Sequence, residues 1–251
     1  MNNPIFLPAL NPPMYSFWLG ALIFVAIWLI IAYFKHKNNV TKYFALYFIF
    51  KVPAIGILMI PNLLLSLGLL TKYNDLAVNS VSISAALMNA ITIFWALMLY
   101  GLVLPELKKR MGIITAVLLL PFVFLPFFDN ISIQADPTGK LVEYQLGLVG
   151  LVLFIPHLLL MVPLGIYFLW RINKIGEKNL RTKAGLIGIG LIASGIAGPL
   201  NYFSLPIAVK YILFTISQLG HFLILGGVVY ALLATHLFLP KKSLKPQESF
   251  N

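Results

Sequence analysis

The sequence predicts an all-α, polytopic membrane protein: a bundle of seven transmembrane helices with a short extracellular hairpin between the fourth and fifth spans. Three observations carry this prediction. The chain is 60% hydrophobic and only 10% charged, whereas an ordinary soluble domain carries about a quarter charged residues. Its apolar runs reach the length of about 20 residues that a helix needs to cross a hydrocarbon core about 30 Å thick. Its basic residues, finally, fall on alternate loops.

The apolar runs are Tyr15–Phe34, Tyr43–Leu70, Val81–Leu104, Gly112–Phe128, Gln145–Trp170, Ala184–Phe203 and Leu205–Leu239. Together they form one transmembrane domain over residues 1–239, followed by a short basic cytoplasmic tail over 240–251. The first 34 residues hold no Lys or Arg, so the first run lacks the positive start of a cleavable signal peptide and reads as a retained span. Pro53, Pro61, Pro121, Pro156, Pro163 and Pro199 lie inside runs, and each is expected to kink its helix.

Short cytoplasmic loops are enriched in Lys and Arg, so charge sets orientation. Fourteen of the 18 basic residues occupy the loops holding Lys35 to Lys42, Lys108 to Arg110 and Arg171 to Lys183, and the tail with Lys241, Lys242 and Lys245. The opposite loops hold only Lys72 and Lys140 among four acidic residues. An N-terminus outside and a C-terminus in the cytoplasm follow, which makes the protein a multi-pass component of the cell membrane. The net charge of +11 is thus a topology signal, and no nucleic-acid partner is expected.

Between spans four and five, Ile131 to Tyr144 alternates around Asp136-Pro-Thr-Gly139 and predicts the hairpin. In span six, Gly190, Ser194 and Gly198 recur every four residues, and Gly227 and Ala231 in span seven share that spacing. Both stripes are faces for close helix packing.

Chemistry in such a bundle must come from polar groups at membrane depth. No Asp, Glu or Arg lies near the centre of a span, which argues against a proton pump, a carboxylate-based ion carrier or a two-carboxylate hydrolase. With no cysteine, thiolate catalysis and Cys-ligated metal are excluded, and no nucleophile pairs with a base at one depth, so no enzyme is expected. Lys51 and Lys210 lie near span ends and are expected to snorkel towards water. Lys210 lacks the mid-helix position and carboxylate counter-ions of a retinal Schiff base.

His157 and His221 lie near the centres of spans five and seven. Two imidazoles at one depth are the minimum for a b-type haem. The plainer expectation is a pair of buried histidines bonded to backbone or hydroxyl groups, with no cofactor and no metal. A ligand pocket, if the bundle has one, is expected between spans three, six and seven. Its polar lining would come from Asn89, Thr92, Asn201, Gln218 and His221, with Lys210 and the acidic hairpin at the mouth.

Several local sequences point the same way: Lys42-Tyr-Phe-Ala-Leu-Tyr47 opening span two, Asp136-Pro-Thr-Gly139, Gly147 and Arg181-Thr-Lys183 before a Gly-rich span, Leu205-Pro206, and Tyr230-Ala-Leu-Leu-Ala-Thr-His-Leu-Phe238. In topology and local style the chain resembles the seven-helix N-terminal sensor region of prokaryotic histidine kinases and related signalling proteins. The resemblance implies a receptor-like sensor that binds a small or lipid-like ligand and signals through a separate cytoplasmic partner. In that family the last helix continues into a signalling domain; here Pro240 interrupts it and about a dozen residues follow, so no kinase activity is expected. A small-molecule transporter or channel-like protein is the alternative class, with the odd span number and absence of inverted repeats against it. A haem-binding membrane protein is the third.

Overall fold

The computed structural model describes residues 5–7, 12–37, 39–103, 108–135, 142–145, 147–200 and 207–237. It is helical throughout apart from one small sheet. The helices are α1 (Pro12–His36), α2 (Asn39–Leu58), α3 (Ile60–Ser66), α4 (Asn74–Val103), α5 (Lys108–Phe124), α6 (Leu148–Ile172), α7 (Lys178–Leu200) and α8 (Ile207–Leu237). Among the described residues, five stretches are long and apolar enough to cross a membrane: Thr41–Ser66, Asn74–Gly101, Arg110–Phe127, Ile155–Ile172 and Lys178–Gly198. Leu19–Lys35 and Thr215–Tyr230 are shorter apolar stretches of the same kind.

Side chains on α5 show why such a surface demands lipid. Ile113, Val117, Leu118, Leu120 and Phe124 are each more than half exposed, an apolar band that water would penalise by about 25 cal/mol per Å². The complementary faces meet in one core. Leu22, Val25 and Leu29 of α1 pack with Phe44 and Phe48 of α2, Trp95 and Met98 of α4, Leu164 of α6, Leu191 of α7 and Ile224 of α8. Helix α4 packs on α2, α5 and α6; α7 lies between α6 and α8; α1 packs on α2.

The second apolar run is not one continuous helix. It breaks at Met59, whose N–H reaches back to the carbonyls of Ile55 and Gly56 at 3.2 and 3.3 Å. Pro61, in the first turn of α3, has no N–H to offer the Ile57 carbonyl four residues earlier, and this stops α2 from running on. Pro126 acts similarly beyond α5, where a 3₁₀ turn spans Leu125–Phe127. Pro53, Pro121, Pro156 and Pro163 are accommodated within their helices.

Three short strands lie at the end of the bundle where α3 ends and α4 and α6 begin. Strand β2 (Ser132–Ala135) pairs antiparallel with β3 (Val142–Gln145), Ser132 opposite Gln145. The Asp136-Pro-Thr-Gly139 turn between them lies outside the described residues. Strand β1 (Ile5–Leu7), which the sequence reading did not anticipate, adds to the other edge of β3 and gives the order β1-β3-β2. Its apolar Ile-Phe-Leu is too short for an alternation to register. A second core of Leu64, Leu70, Ala77, Val81, Ile131, Ile133 and Val142 fastens this sheet to α3 and α4. Asp129 accepts from the Gly147 N–H at 2.8 Å, placing a carboxylate at the start of α6, where the helix dipole favours it.

Candidate functional site: a buried basic and aromatic cluster

Asn89 and Thr92, two residues of the expected polar lining, lie on α4. Asn89 is buried on α4, and its Nδ2 donates to the Phe122 carbonyl of α5 at 2.6 Å. That carbonyl is the one Pro126, four residues on, cannot bond, so the Asn89 amide satisfies a group freed by proline. Thr92 donates its hydroxyl to the Asn89 carbonyl at 2.6 Å. Asn89 thus serves the α4–α5 contact, while the Thr92 bond stays within α4. Gln218 is half-buried on α8. Asn201 and the tail over 240–251 lie outside the described residues, as does the side chain of Lys210, whose backbone belongs to α8.

His221 sits on the α7–α8 seam. Its Nδ1–H donates to the Ser217 carbonyl at 2.7 Å; the Ser194 hydroxyl of α7 donates to the same carbonyl at 3.3 Å and lies 3.3 Å from Nδ1. Small residues allow this approach. A methyl carbon at Gly190 would stand 2.5 Å from the Gly220 carbonyl oxygen, and one at Gly220 would stand 2.5 Å from Ser194 Oγ. Gly198 and Gly227 extend the same seam. The opposite face of α7 uses Gly188 and Gly195 against α6, the latter beside the His157 backbone. Helix α7 packs on both α6 and α8, the helices that carry the two histidines.

The most unusual group is one that the sequence reading sent to the membrane surface. Lys51 does not snorkel: it is 4% exposed, and its Nζ donates to Tyr47 Oη at 2.5 Å while lying 4.9 Å from the centre of the Tyr47 ring. The correction has a geometric cause. Helix α2 starts at Asn39, so Lys51 is 12 residues inside it, about 18 Å at 1.5 Å per residue, too deep for a four-carbon stem to reach the interface. It also lies on the buried stripe of α2, formed by Phe44, Tyr47, Phe48, Lys51, Ala54 and Ile55 at helical spacing. That stripe was legible in the sequence.

Around Lys51 the surroundings are aromatic and basic. Tyr47 packs on Trp95 of α4 with ring centroids 4.7 Å apart, and Phe44 meets Trp95 edge to face at 5.9 Å. Trp95 is fully buried, and its indole N–H is an interior donor with no hydrogen-bond partner among the described residues. Lys51, His157 and His221 are carried by α2, α6 and α8 respectively. The chain's seven acidic residues are Asp75, Glu106, Asp129, Asp136, Glu143, Glu177 and Glu248, and none falls within an apolar run. Among the described residues no group of three potential metal ligands occurs. Chemically, the cluster can donate hydrogen bonds and stabilise negative charge. Comparison of the chain with protein-family models, with curated proteins and with solved structures finds no match.

Proposed function

We propose that the protein is a receptor-like sensor of the cell membrane that takes a small or lipid-like ligand into its helix bundle and signals through a separate cytoplasmic partner. In this reading α1, α2 with α3, α4, α5, α6, α7 and α8 make seven crossings, with the N-terminus and the three-stranded sheet outside and the C-terminus in the cytoplasm. The single observation that carries it is the buried donor cluster of Lys51, Tyr47 and Trp95 in the bundle core. Burying a lysine amine that has no acidic partner among the described residues is unfavourable, a cost with no structural benefit but of use to a protein that binds something there. The resemblance to kinase-associated sensor regions supports the same reading.

The helix ends on the basic side support the orientation. Lys174 Nζ lies 3.8 Å from the centre of the Trp170 ring, Arg171 donates to Tyr167 Oη at 3.1 Å, and Lys37 stacks over Phe34 at 4.8 Å. Aromatic side chains capped by basic ones are the usual composition of a cytoplasmic interface. Arg181 in the first turn of α7 donates to the Ile175 carbonyl of the α6–α7 turn.

The absence of cysteine allows a direct test. Spin labels at Lys37→Cys and Lys178→Cys, in nanodiscs, are expected to change their separation when membrane lipid extract is restored to delipidated protein. An unchanged distance distribution across all extracts would sink the sensor reading.

A further inference from the structure

Lys51, Tyr47 and Trp95 form a group whose hydrogen-bonding capacity is unbalanced in one direction. A lysine amine brings two N–H donors, or three when protonated, an indole has one donor and no acceptor, and a phenol can be either. Among the described residues, Lys51 makes one bond to a side chain and the Trp95 N–H makes none. Both groups touch the same Tyr47 ring. Buried donors left unmade cost about 1–3 kcal/mol each, more when charged, so a group that accepts several hydrogen bonds and carries negative charge is the chemical complement of this cluster. No Asp or Glu of the chain lies within the interior of a span to supply it.

Depth and walls narrow the class. The cluster lies about 18 Å along α2 from its basic end, by the helical rise. Phe44, Phe48 and Trp95 around it are buried core residues. An acyl chain is soluble in such surroundings, whereas a free aqueous anion reaches them only by crossing hydrocarbon. We propose that Lys51, with Tyr47 and Trp95, binds the carboxylate head of a lipid-like amphiphile such as a long-chain fatty acid. This rests on the sensor reading above and names the ligand class for it. The carboxylate accepts from Lys51 Nζ and the Trp95 indole, Tyr47 turns its hydroxyl to the same head, and the acyl chain lies among the apolar faces of the bundle.

The experiment uses the full chain in nanodiscs and titrates oleate, methyl oleate and acetate, read by calorimetry and tryptophan fluorescence. Oleate is expected to bind saturably, and methyl oleate, with the same tail and no charge, about tenfold or more weakly, the value of one charge-assisted bond. Lys51→Met is expected to weaken oleate by about the same factor and leave methyl oleate unchanged, while Lys51→Arg retains most of the oleate affinity. Trp95→Phe keeps the ring, loses the donor and is expected to weaken oleate by about fivefold. Thermal unfolding of ligand-free Lys51→Met serves as the folding control, since exchanging a buried cation for an apolar chain of similar length does not lower stability. Equal binding of oleate and methyl oleate, wild-type oleate affinity in Lys51→Met, or no saturable oleate binding would each overturn the assignment. Acetate binding as tightly as oleate would overturn the lipid source. If methyl oleate binds as well as oleate and shifts the spin-label distance, the sensor reading stands and the carboxylate assignment falls. If oleate binds through Lys51 and the labels do not move, the site stands and the sensor reading falls.

Discussion

Asn62 shows how much a single polar side chain can cost when its neighbours cannot answer it. It lies in α3 just after the break at Met59, and its amide nitrogen and oxygen are both buried with no hydrogen-bond partner among the described residues. Replacing it by Leu removes that penalty at nearly constant volume, so Asn62→Leu is expected to raise unfolding stability by about 1–2 kcal/mol, read as a higher midpoint in detergent. Asn89 is the contrasting case. Its amide is spent on the Phe122 carbonyl, and Asn89→Leu is expected to cost about 1 kcal/mol because the carbonyl freed by Pro126 loses its donor. If Asn89→Leu were neutral and Asn62→Leu destabilising, the two polar roles would be the reverse of those drawn here.

At the scale of the helix, α7 depends on having almost no side chain on two faces. Gly190, Ser194, Gly198 and Gly220 bring α7 and α8 into backbone contact, while Gly165, Gly188 and Gly195 do so for α6 and α7. Such packing replaces the hydrophobic drive that lipid cannot supply. Gly190→Leu must push the helices apart and is expected to destabilise by about 1–3 kcal/mol. Gly226→Ala, where a methyl carbon meets nothing within 4 Å, is expected to be neutral or to gain up to about 1 kcal/mol of helix propensity. Measuring both variants by thermal unfolding separates close approach from a general intolerance of larger residues. Equal losses in the two would show that the seam does not matter.

For the molecule as a whole, the orientation proposed from charge makes a definite statement about which helix ends share a compartment. The α4–α5 and α6–α7 connections should lie on one side, and the sheet with the turn 67–73 on the other. Single cysteines at Lys72 and at Lys174, probed with a membrane-impermeant maleimide on intact cells, are expected to label only at Lys72. Labelling confined to Lys174 would invert the topology and place the sheet in the cytoplasm. Labelling at both would break the alternation on which the proposed number of crossings depends.

The helical class, the positions of the apolar runs and the small-residue stripes could be read from the chain, because each depends on local composition and on the 3.6-residue period. Partnership could not. That the Asn89 amide goes to a carbonyl of α5 depends on where Pro126 interrupts a different helix. The addition of Ile5–Leu7 to β3 joins residues more than 130 positions apart, as the pairing of Ile5 with Tyr144 shows. Lys51 lies between these cases. Its place on the stripe of Phe44, Tyr47, Phe48 and Ile55 was written in the sequence, but the start of α2 at Asn39 sets its depth, and packing against Trp95 encloses it. Periodicity determines which face of a helix a residue occupies; burial depends on what the neighbouring helices bring to that face, and that is a property of the assembled bundle.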